Sequence, residues 1–230
     1  YLKEFQLLKT DEQIKEFIPT WPDCSSLPVV IGIDTGADHP FGAVKIVATE
    51  KGMVVVDEYL QRNRSFVEHA GSMKRLASAT NVRWASNKNE KQPMIEFAQH
   101  GIFCSAAAND VVSGIERVKA WLHAGQLFFV ESKVPLTIQQ MKSYRWAENE
   151  SPTDGSTRKE RVYKKDDELP DGLRYALMIW PTLPKVITPD PNPPRDLSKL
   201  PSEMARAVER MRRIDNPKTE PTDVVGDFYL

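Results

Sequence analysis

The stretch Val29-Val30-Ile31-Gly32-Ile33-Asp34-Thr35-Gly36 is a short run of β-branched residues that ends in an aspartate and a glycine. Such an apolar run predicts a strand that is buried on both faces. A carboxylate at the end of a buried strand is costly unless it is paired or binds a cation. The next strand signal, Phe41–Ala48, lies within hairpin reach across Thr35–Pro40. We therefore expect Asp34 in a central strand, near the mouth of a sheet.

The composition narrows the class of protein. With 230 residues, the chain is long enough for one large domain, or for one domain with an extension. Its 40% hydrophobic and 27% charged residues are ordinary for a globular protein, and no apolar run approaches transmembrane length, so no membrane partner is expected. The net charge of −1 means that any nucleic-acid binding must depend on a local basic patch. Cys24 and Cys104 indicate reduced thiols and form no zinc motif.

The order of helix and strand signals predicts the fold class. Three strand signals joined by short loops, ending with Met53–Tyr59, predict an antiparallel meander. Helix and strand signals then alternate, so the meander continues into parallel strands of a mixed α/β sheet that is flanked by helices. These later elements are predicted at Phe66–Ala79, Asn81–Ala85, Gln92–His100, Ile102–Cys104, Val111–Gly125, Leu127–Glu131, Leu136–Tyr144 and Asp167–Trp180.

The chain divides into three parts. Residues 1–28 are predicted to be a lead-in or an interdomain connection, with a helical or partly ordered start over Tyr1–Ile18. Residues 29–184 form the main domain. Residues 185–230 contain a Pro-rich linker, a short basic helix and a tail, which fit a docking arm as well as a disordered tail.

An acidic cluster opens the last helix of the main domain. Asp167 and Asp171 are four residues apart, and Glu168 and Asp171 are three apart, so either pair shares one side of a helix. If the cluster faces Asp34 across the sheet, the carboxylates would suit two hard divalent cations that hydrolyse a phosphodiester. The alternative is structural, because acidic residues at a helix start suit the helix dipole and a strand-end Asp is often a turn residue.

A basic segment precedes the acidic cluster. Its cations would suit phosphate contacts beside the site, or would simply form a solvated hairpin; they are Arg158, Lys159, Arg161, Lys164 and Lys165. Tyr144 and Trp146 could stack on DNA or belong to the core, and Arg174 could contact DNA or pair with a carboxylate. Among the histidines, His39 lies near Asp34 in sequence, whereas His69, His100 and His123 are expected on helix surfaces.

Several motifs, in this order and spacing, resemble the nuclease domain of a tailed-bacteriophage terminase large subunit. They are Ile31-Gly32-Ile33-Asp34-Thr35-Gly36, Ala108–Val118, Gln140-x-x-x-Tyr144-x-Trp146 and Asp166–Leu177. In that family an Asp-His-x-x-Asp-Ala-Leu-Arg-Tyr-Ala run often occurs late in the domain. Here Glu168 stands at the position of the His and Gly172 at that of the Ala. The resemblance extends from Val29 to about Pro184.

The resemblance implies an RNase H-like fold and a metal-dependent endonuclease of a viral genome-packaging motor. Such an enzyme cuts concatemeric double-stranded DNA with two Mg²⁺ or Mn²⁺ ions, and the implied ligands are Asp34, Asp167, Glu168 and Asp171. The implied partners are a terminase ATPase domain, the small terminase subunit and the portal protein, in the bacterial host cytoplasm and transiently at the procapsid portal. A Gly-x-x-x-x-Gly-Lys-Ser/Thr loop is missing from the sequence, so we expect no ATP hydrolysis by this chain. The start at Tyr1, without a Met, fits a piece of a longer protein.

One position departs from the family pattern. Ser86 stands at the end of the fourth predicted strand, where the family usually has a second carboxylate. Either Glu90, Asp57 or Glu58 substitutes for it, or metal affinity is reduced, or the residue is an inactivating change. Two other functions stay open: a junction-resolvase-like nuclease that selects branched DNA, and a non-catalytic module that docks on DNA or the portal.

Overall fold

The computed structural model describes Lys3 and residues 6–36, 39–108, 110–144 and 165–182. All of them belong to one unit of the chain, Tyr1–Val186. Trp146, most of the predicted basic segment and the predicted linker, terminal helix and tail lie outside these described residues.

Seven strands within the described ranges form one mixed sheet. They are β1 (Leu7–Leu8), β2 (Val29–Asp34), β3 (Phe41–Thr49), β4 (Gly52–Gln61), β5 (Val82–Asn87), β6 (Cys104–Ala107) and β7 (Leu127–Val130). The strand order is β1-β7-β4-β3-β2-β5-β6. β3 is antiparallel to both β2 and β4, whereas every other neighbouring pair is parallel. The predicted fold class, a meander that continues into parallel strands, is confirmed.

Six helices are described, and they cover both faces of the sheet. They are α1 (Asp11–Lys15), α2 (Phe66–Ala77), α3 (Lys91–Gln99), α4 (Val111–His123), α5 (Pro135–Ser143) and α6 (Glu168–Ile179). None of the helices described here is long and apolar enough to cross a membrane. α2 begins with a capping box at Ser65, in which the Glu68 carboxylate accepts from the Ser65 backbone N–H at 2.8 Å.

β2 lies in the interior of the sheet and is buried on both faces, as its apolar run predicts. Ile31 and Ile33 face one core, in which Met73 of α2 also lies. Val30 faces the other core, which contains Leu173 of α6. These β2 side chains are fully buried, so the position of the strand is fixed by packing on both sides.

α6 lies unusually close to the centre of the sheet because two glycines face each other. A Cβ atom on Gly32 of β2 would overlap the backbone carbonyl oxygen of Gly172 in α6. A Cβ atom on Gly42 of β3 would lie 2.8 Å from the Cβ atom of Glu168. The start of α6 is therefore held directly against the strands that carry and flank Asp34.

The N-terminal segment differs from the prediction. The expected helical lead-in contains β1, which pairs in parallel with β7, and then the five-residue helix α1. Gln6 ties this segment to the domain, since its side-chain amide donates to the carbonyl oxygens of Leu122 and Leu127 at 3.0 and 3.2 Å. Both contacts join parts of the chain that are far apart in sequence, and local patterns carry no sign of them.

Two smaller predictions were also wrong. The strand expected at Ile102–Cys104 lies at Cys104–Ala107, because the Ile102 N–H closes the end of α3 by donating to the Phe97 carbonyl at 2.9 Å. His69 was expected on a helix surface, but it is only 6% exposed and stacks on Phe41 with ring centroids 4.1 Å apart. Burial, followed by the nearby Arg64, lowers the pKa of His69.

Candidate functional site

The candidate site lies at the edge of the sheet where β2 and β5 end. These strands are parallel, and Ile33 is in register with Ser86. Asp34 follows Ile33 and is in register with Gly42 of the antiparallel strand β3. Asp34 therefore ends the interior strand β2, next to the end of β5.

Glu168 reaches this edge from α6. Its Cβ atom lies against Gly42, the residue in register with Asp34, and its side chain is nearly buried at 4% exposure. Gln140 of α5 donates to the Glu168 carboxylate at 3.0 Å and accepts from the Leu169 backbone N–H at 2.9 Å. Gln140 thus fixes both the carboxylate and the first turn of the helix that carries it.

Asp171 lies one turn further along α6 and is held by two donors. Its carboxylate forms an ion pair with Arg174 at 3.2 Å and accepts from the Tyr144 hydroxyl at 3.0 Å. Burial, followed by the charge of Asp171, raises the pKa of Tyr144, so this hydroxyl remains a donor. Arg174 is 1% exposed, so of its two predicted roles the structure shows pairing with a carboxylate.

Asp167 completes the acidic cluster. It immediately precedes α6, and its backbone carbonyl accepts from the Asp171 N–H at 2.8 Å. Like Glu168 and Asp171, it is less than a tenth exposed. The helix dipole stabilises acidic residues at an exposed helix start, but it does not require three of them to be buried together. Their burial therefore favours a role beyond helix capping.

The three sequence-predicted substitutes for a strand-end carboxylate have different positions. Glu90 lies at the candidate site, because its carboxylate oxygen Oε2 accepts from the Ser86 hydroxyl at 3.3 Å. Glu58 instead accepts from the Leu136 and Thr137 backbone N–H groups at 2.9 and 2.6 Å, at the start of α5. Asp57 accepts from the Glu58 backbone N–H at 2.9 Å. The structure therefore places Glu90 alone of these three beside Ser86.

Several of these carboxylates raise the pKa of one buried phenol, that of Tyr175. Tyr175 of α6 is 2% exposed, and burial is the largest cause that raises its pKa. The charges of Asp171, Asp34 and Glu90 raise the pKa of Tyr175 further, whereas Arg174 lowers it. Carboxylates from β2, from α6 and from the loop after β5 thus act on the same side chain.

The carboxylates are neighbours, but they do not form a preassembled metal cage. In the part of the chain that the structure describes, no group of three or more His, Cys, Asp or Glu side chains is arranged to hold a metal ion. Glu168 and Asp171 instead accept hydrogen bonds from Gln140 and Tyr144. The assignment of Asp34, Asp167, Glu168 and Asp171 as metal ligands stays a prediction.

The structure describes little of the predicted DNA-binding segment. Lys165 is exposed, immediately before the acidic cluster, whereas Arg158, Lys159, Arg161 and Lys164 lie outside the described residues.

The sequence also left the role of Gln140 unassigned. In the structure both Gln140 and Tyr144 donate to carboxylates of α6. The spacing of these two residues in the sequence was the available signal for a shared role.

Comparison with known proteins was made for the sequence and for the fold. The family described as the terminase RNaseH-like domain matches residues 31–179. Comparison with curated protein sequences gives no match. Three solved structures share the fold at low sequence identity: the large terminase from a thermophilic bacteriophage, the P22 large terminase nuclease domain and the SPP1 large terminase nuclease domain, the last with bound Mn.

The extent of these similarities differs. The large terminase from the thermophilic bacteriophage is 16% identical with a TM-score of 0.60, and the alignment covers 76% of this chain but 42% of that one. The P22 domain is 16% identical with a TM-score of 0.59, and the alignment covers 77% of this chain and 89% of that one. The domain from bacteriophage SPP1 is 19% identical with a TM-score of 0.52, and the alignment covers 74% of this chain and 93% of that one. The chain therefore spans less than half of the first of these proteins, the only one of the three that was solved as a large terminase rather than as a nuclease domain.

Proposed function

Because the chain belongs to the terminase RNaseH-like domain family, we propose that it is the divalent-metal-dependent endonuclease domain of a terminase large subunit. Its substrate would be concatemeric double-stranded DNA, which it would cut by phosphodiester hydrolysis with two metal ions. The observation that carries the proposal is the contact of Glu168 with Gly42, since Gly42 is in register with Asp34. This contact places the start of α6 beside the strand residue that is in register with Asp34, which supports a shared site at this edge of the sheet.

The donor set fits the proposed cations in its chemistry. Asp34, Asp167, Glu168 and Asp171 supply carboxylate oxygens, which are the ligands that Mg²⁺ and Mn²⁺ prefer. The SPP1 nuclease domain was solved with bound Mn. When bound, such cations activate a water molecule for attack and stabilise the leaving oxygen.

The surrounding residues would prepare the carboxylates for this task. Gln140 orients Glu168 through a hydrogen bond of 3.0 Å. Arg174 and Tyr144 hold Asp171 in position, because its carboxylate forms an ion pair with the guanidinium group and accepts from the phenol hydroxyl. The packing of Gly32 against Gly172 keeps α6 close enough to the sheet for these groups to reach the edge.

The remaining partners belong to the same proposal. The basic residues around Lys165 would bind DNA phosphates beside the carboxylates. A terminase ATPase domain, the small subunit and the portal protein would direct cutting, in the host cytoplasm and at the procapsid portal. Two observations favour a second candidate function, a non-catalytic docking module: the described carboxylates do not form a preassembled cage, and Asp171 is paired with Arg174.

Plasmid cleavage tests the proposal. The 230-residue chain is incubated with supercoiled plasmid in Mn²⁺, in Mg²⁺ and in EDTA, and is compared with Asp34→Asn, Glu168→Gln and the surface control Glu116→Gln. We expect metal-dependent cutting that Asp34→Asn and Glu168→Gln reduce by at least about 10-fold, since even indirect partners of a metal are worth about that much. The control should cut like the parent, because the Glu116 side chain is 61% exposed on the surface of α4. Equal cutting by Asp34→Asn would contradict the proposal, and absence of cutting in every sample would favour the docking module.

A further inference from the structure

We propose that Glu90 is a ligand of the divalent cation at the edge of the sheet where β2 and β5 end. Glu90 lies in the loop after β5, and it would supply the carboxylate that is missing at Ser86, at the end of that strand. The inference rests on the proposed nuclease function, because it adds a residue to the same site. It assigns Ser86 a different task, the positioning of the Glu90 carboxylate.

The backbone brings Glu90 back to the sheet edge. β5 is parallel to β2 and in register through Ile33 and Ser86, so both strands end at the same edge. The chain then turns tightly, since the Glu90 N–H donates to the Asn87 carbonyl at 3.0 Å. Glu90 thus follows the end of β5 by one turn and stays beside the residue that follows Asp34.

Two hydroxyl groups from the two strands hold the Glu90 side chain. The Ser86 hydroxyl donates to the carboxylate oxygen Oε2 at 3.3 Å, and the Thr35 hydroxyl donates to the same oxygen. Thr35 is the residue after Asp34, and Ser86 is fully buried. The carboxylate is therefore fixed between the ends of β2 and β5.

The helix that starts at Glu90 does not account for this position. Glu90 is the N-cap residue of α3, and its carbonyl accepts from the Met94 N–H at 3.2 Å. Its side chain accepts no hydrogen bond from the first turn of that helix. N-cap residues usually satisfy backbone N–H groups with a side-chain oxygen, and Glu is not among the favoured types. The side chain is directed to the sheet edge instead.

The charge of Glu90 contributes to the raised pKa values of two buried groups near the site. Burial first, and Glu90 second, raise the pKa of the Cys104 thiol on β6 to about 12. Glu90 also acts on Tyr175 together with Asp171 and Asp34, and these charges add to burial in raising the pKa of that phenol. Like charges that share one neighbourhood repel each other, and a bound cation removes this cost. A serine hydroxyl is a much weaker ligand than a carboxylate, so Ser86 is better suited to orient Glu90.

Calorimetric titration of Mn²⁺ into the 230-residue chain tests the inference without depending on catalysis. The variants are Asp34→Asn, Glu90→Gln, Ser86→Asp combined with Glu90→Gln, and the surface control Glu116→Gln. Glu90→Gln keeps the shape of the side chain and can still accept from Ser86 and Thr35, so thermal unfolding should match the parent. We expect Glu90→Gln to weaken Mn²⁺ binding by at least about 10-fold, as Asp34→Asn does, and Ser86→Asp to restore much of the affinity by returning a carboxylate to the strand end.

The outcomes separate the two proposals. If Asp34→Asn weakens Mn²⁺ binding and Glu90→Gln does not, the role of Glu90 is overturned and the nuclease function stands. If the parent chain binds no Mn²⁺, or if Asp34→Asn binds it equally well, the proposed metal site is overturned and the role of Glu90 with it. A loss with Glu90→Gln that Ser86→Asp reverses supports both proposals.

Discussion

Arg174 is the largest of the side chains that are almost completely buried, and its position explains how Asp171 is held. Its guanidinium group pairs with Asp171, and its nitrogen Nη1 has no hydrogen-bond acceptor among the described residues. Burial alone lowers the pKa of Arg174, but the charge of Asp171, the nearby Tyr175 and Tyr144 and the hydrogen bond to Asp171 together more than offset it, so the pKa lies above its ordinary value. A buried charge of this kind persists only with its partner, which makes the pair a structural unit inside the candidate site.

Removal of one partner should therefore destabilise the protein strongly. We expect Arg174→Met to lower the free energy of unfolding by about 3–5 kcal/mol, because it leaves the Asp171 carboxylate buried without its cation. Denaturant unfolding followed by circular dichroism measures the change. The double variant Arg174→Met with Asp171→Asn is the control, and it should recover part of the loss since no uncompensated charge remains. A single variant as stable as the parent would show that the pair does not hold Asp171.

At the scale of elements, the candidate site depends on how closely α6 approaches β2. Gly32 and Gly172 meet backbone to backbone, and Ala176 lies over the same strand. Helices on sheets are usually separated by side chains, whereas here the small residues let α6 press Glu168 against Gly42. The spacing between helix and sheet thus sets the distance between the carboxylates on each.

A methyl group at this contact should separate the two elements. We expect Gly32→Ala to lower the free energy of unfolding by more than about 2 kcal/mol, because the added Cβ atom has no free volume and overpacking of this kind is costly. Gly71→Ala is the matched control in the middle of α2, where the nearest atom would be 3.7 Å away. That change should stabilise the protein by about 0.5–1 kcal/mol, since alanine favours helix more than glycine does. Equal stability of the two variants in denaturant unfolding would contradict the close-approach argument.

The elements that sequence could predict are those with local signals. β2, β3 and β4 have short turns and strong apolar runs, and α2 begins with a capping box, so each was found close to its observed bounds. β1 could not be found in this way, because two leucines form a strand only through pairing with Phe129 and Val130 of β7. Its existence depends on contacts that the chain makes more than 100 residues later.

The candidate site shows the same division. The carboxylates Asp34, Glu168 and Asp171 stand out in the sequence because each lies at the end or start of a predicted element. Their donors do not: Gln140 contacts Glu168 across 28 residues of sequence, and that contact follows from the packing of α5 on α6. Among the sequence-proposed substitutes for Ser86, the choice of Glu90 also needed the parallel register of β2 and β5.

At the scale of the whole molecule, the N-terminal segment is part of the folded core. Leu8, Ile14 and Ile18 belong to the same buried cluster as Val29 and Ile31 of β2. The assignment of residues 1–28 as a connection to a preceding domain stays a prediction. The segment that leads into β2 is packed on the same face of the sheet as α2.

Truncation of a single buried side chain in this segment should therefore lower the stability of the whole domain. We expect Ile18→Ala to lower the free energy of unfolding by about 2–5 kcal/mol, since the side chain is fully buried and its loss leaves a cavity in the core. Ile95→Ala is the matched control, because Ile95 is 54% exposed on α3, and it should change stability by less than about 0.5 kcal/mol. Both values come from denaturant unfolding, recorded by far-UV circular dichroism and by tryptophan fluorescence. A segment that merely joins two domains would unfold without the sheet, so a neutral Ile18→Ala, or two non-coincident transitions, would contradict its place in the core.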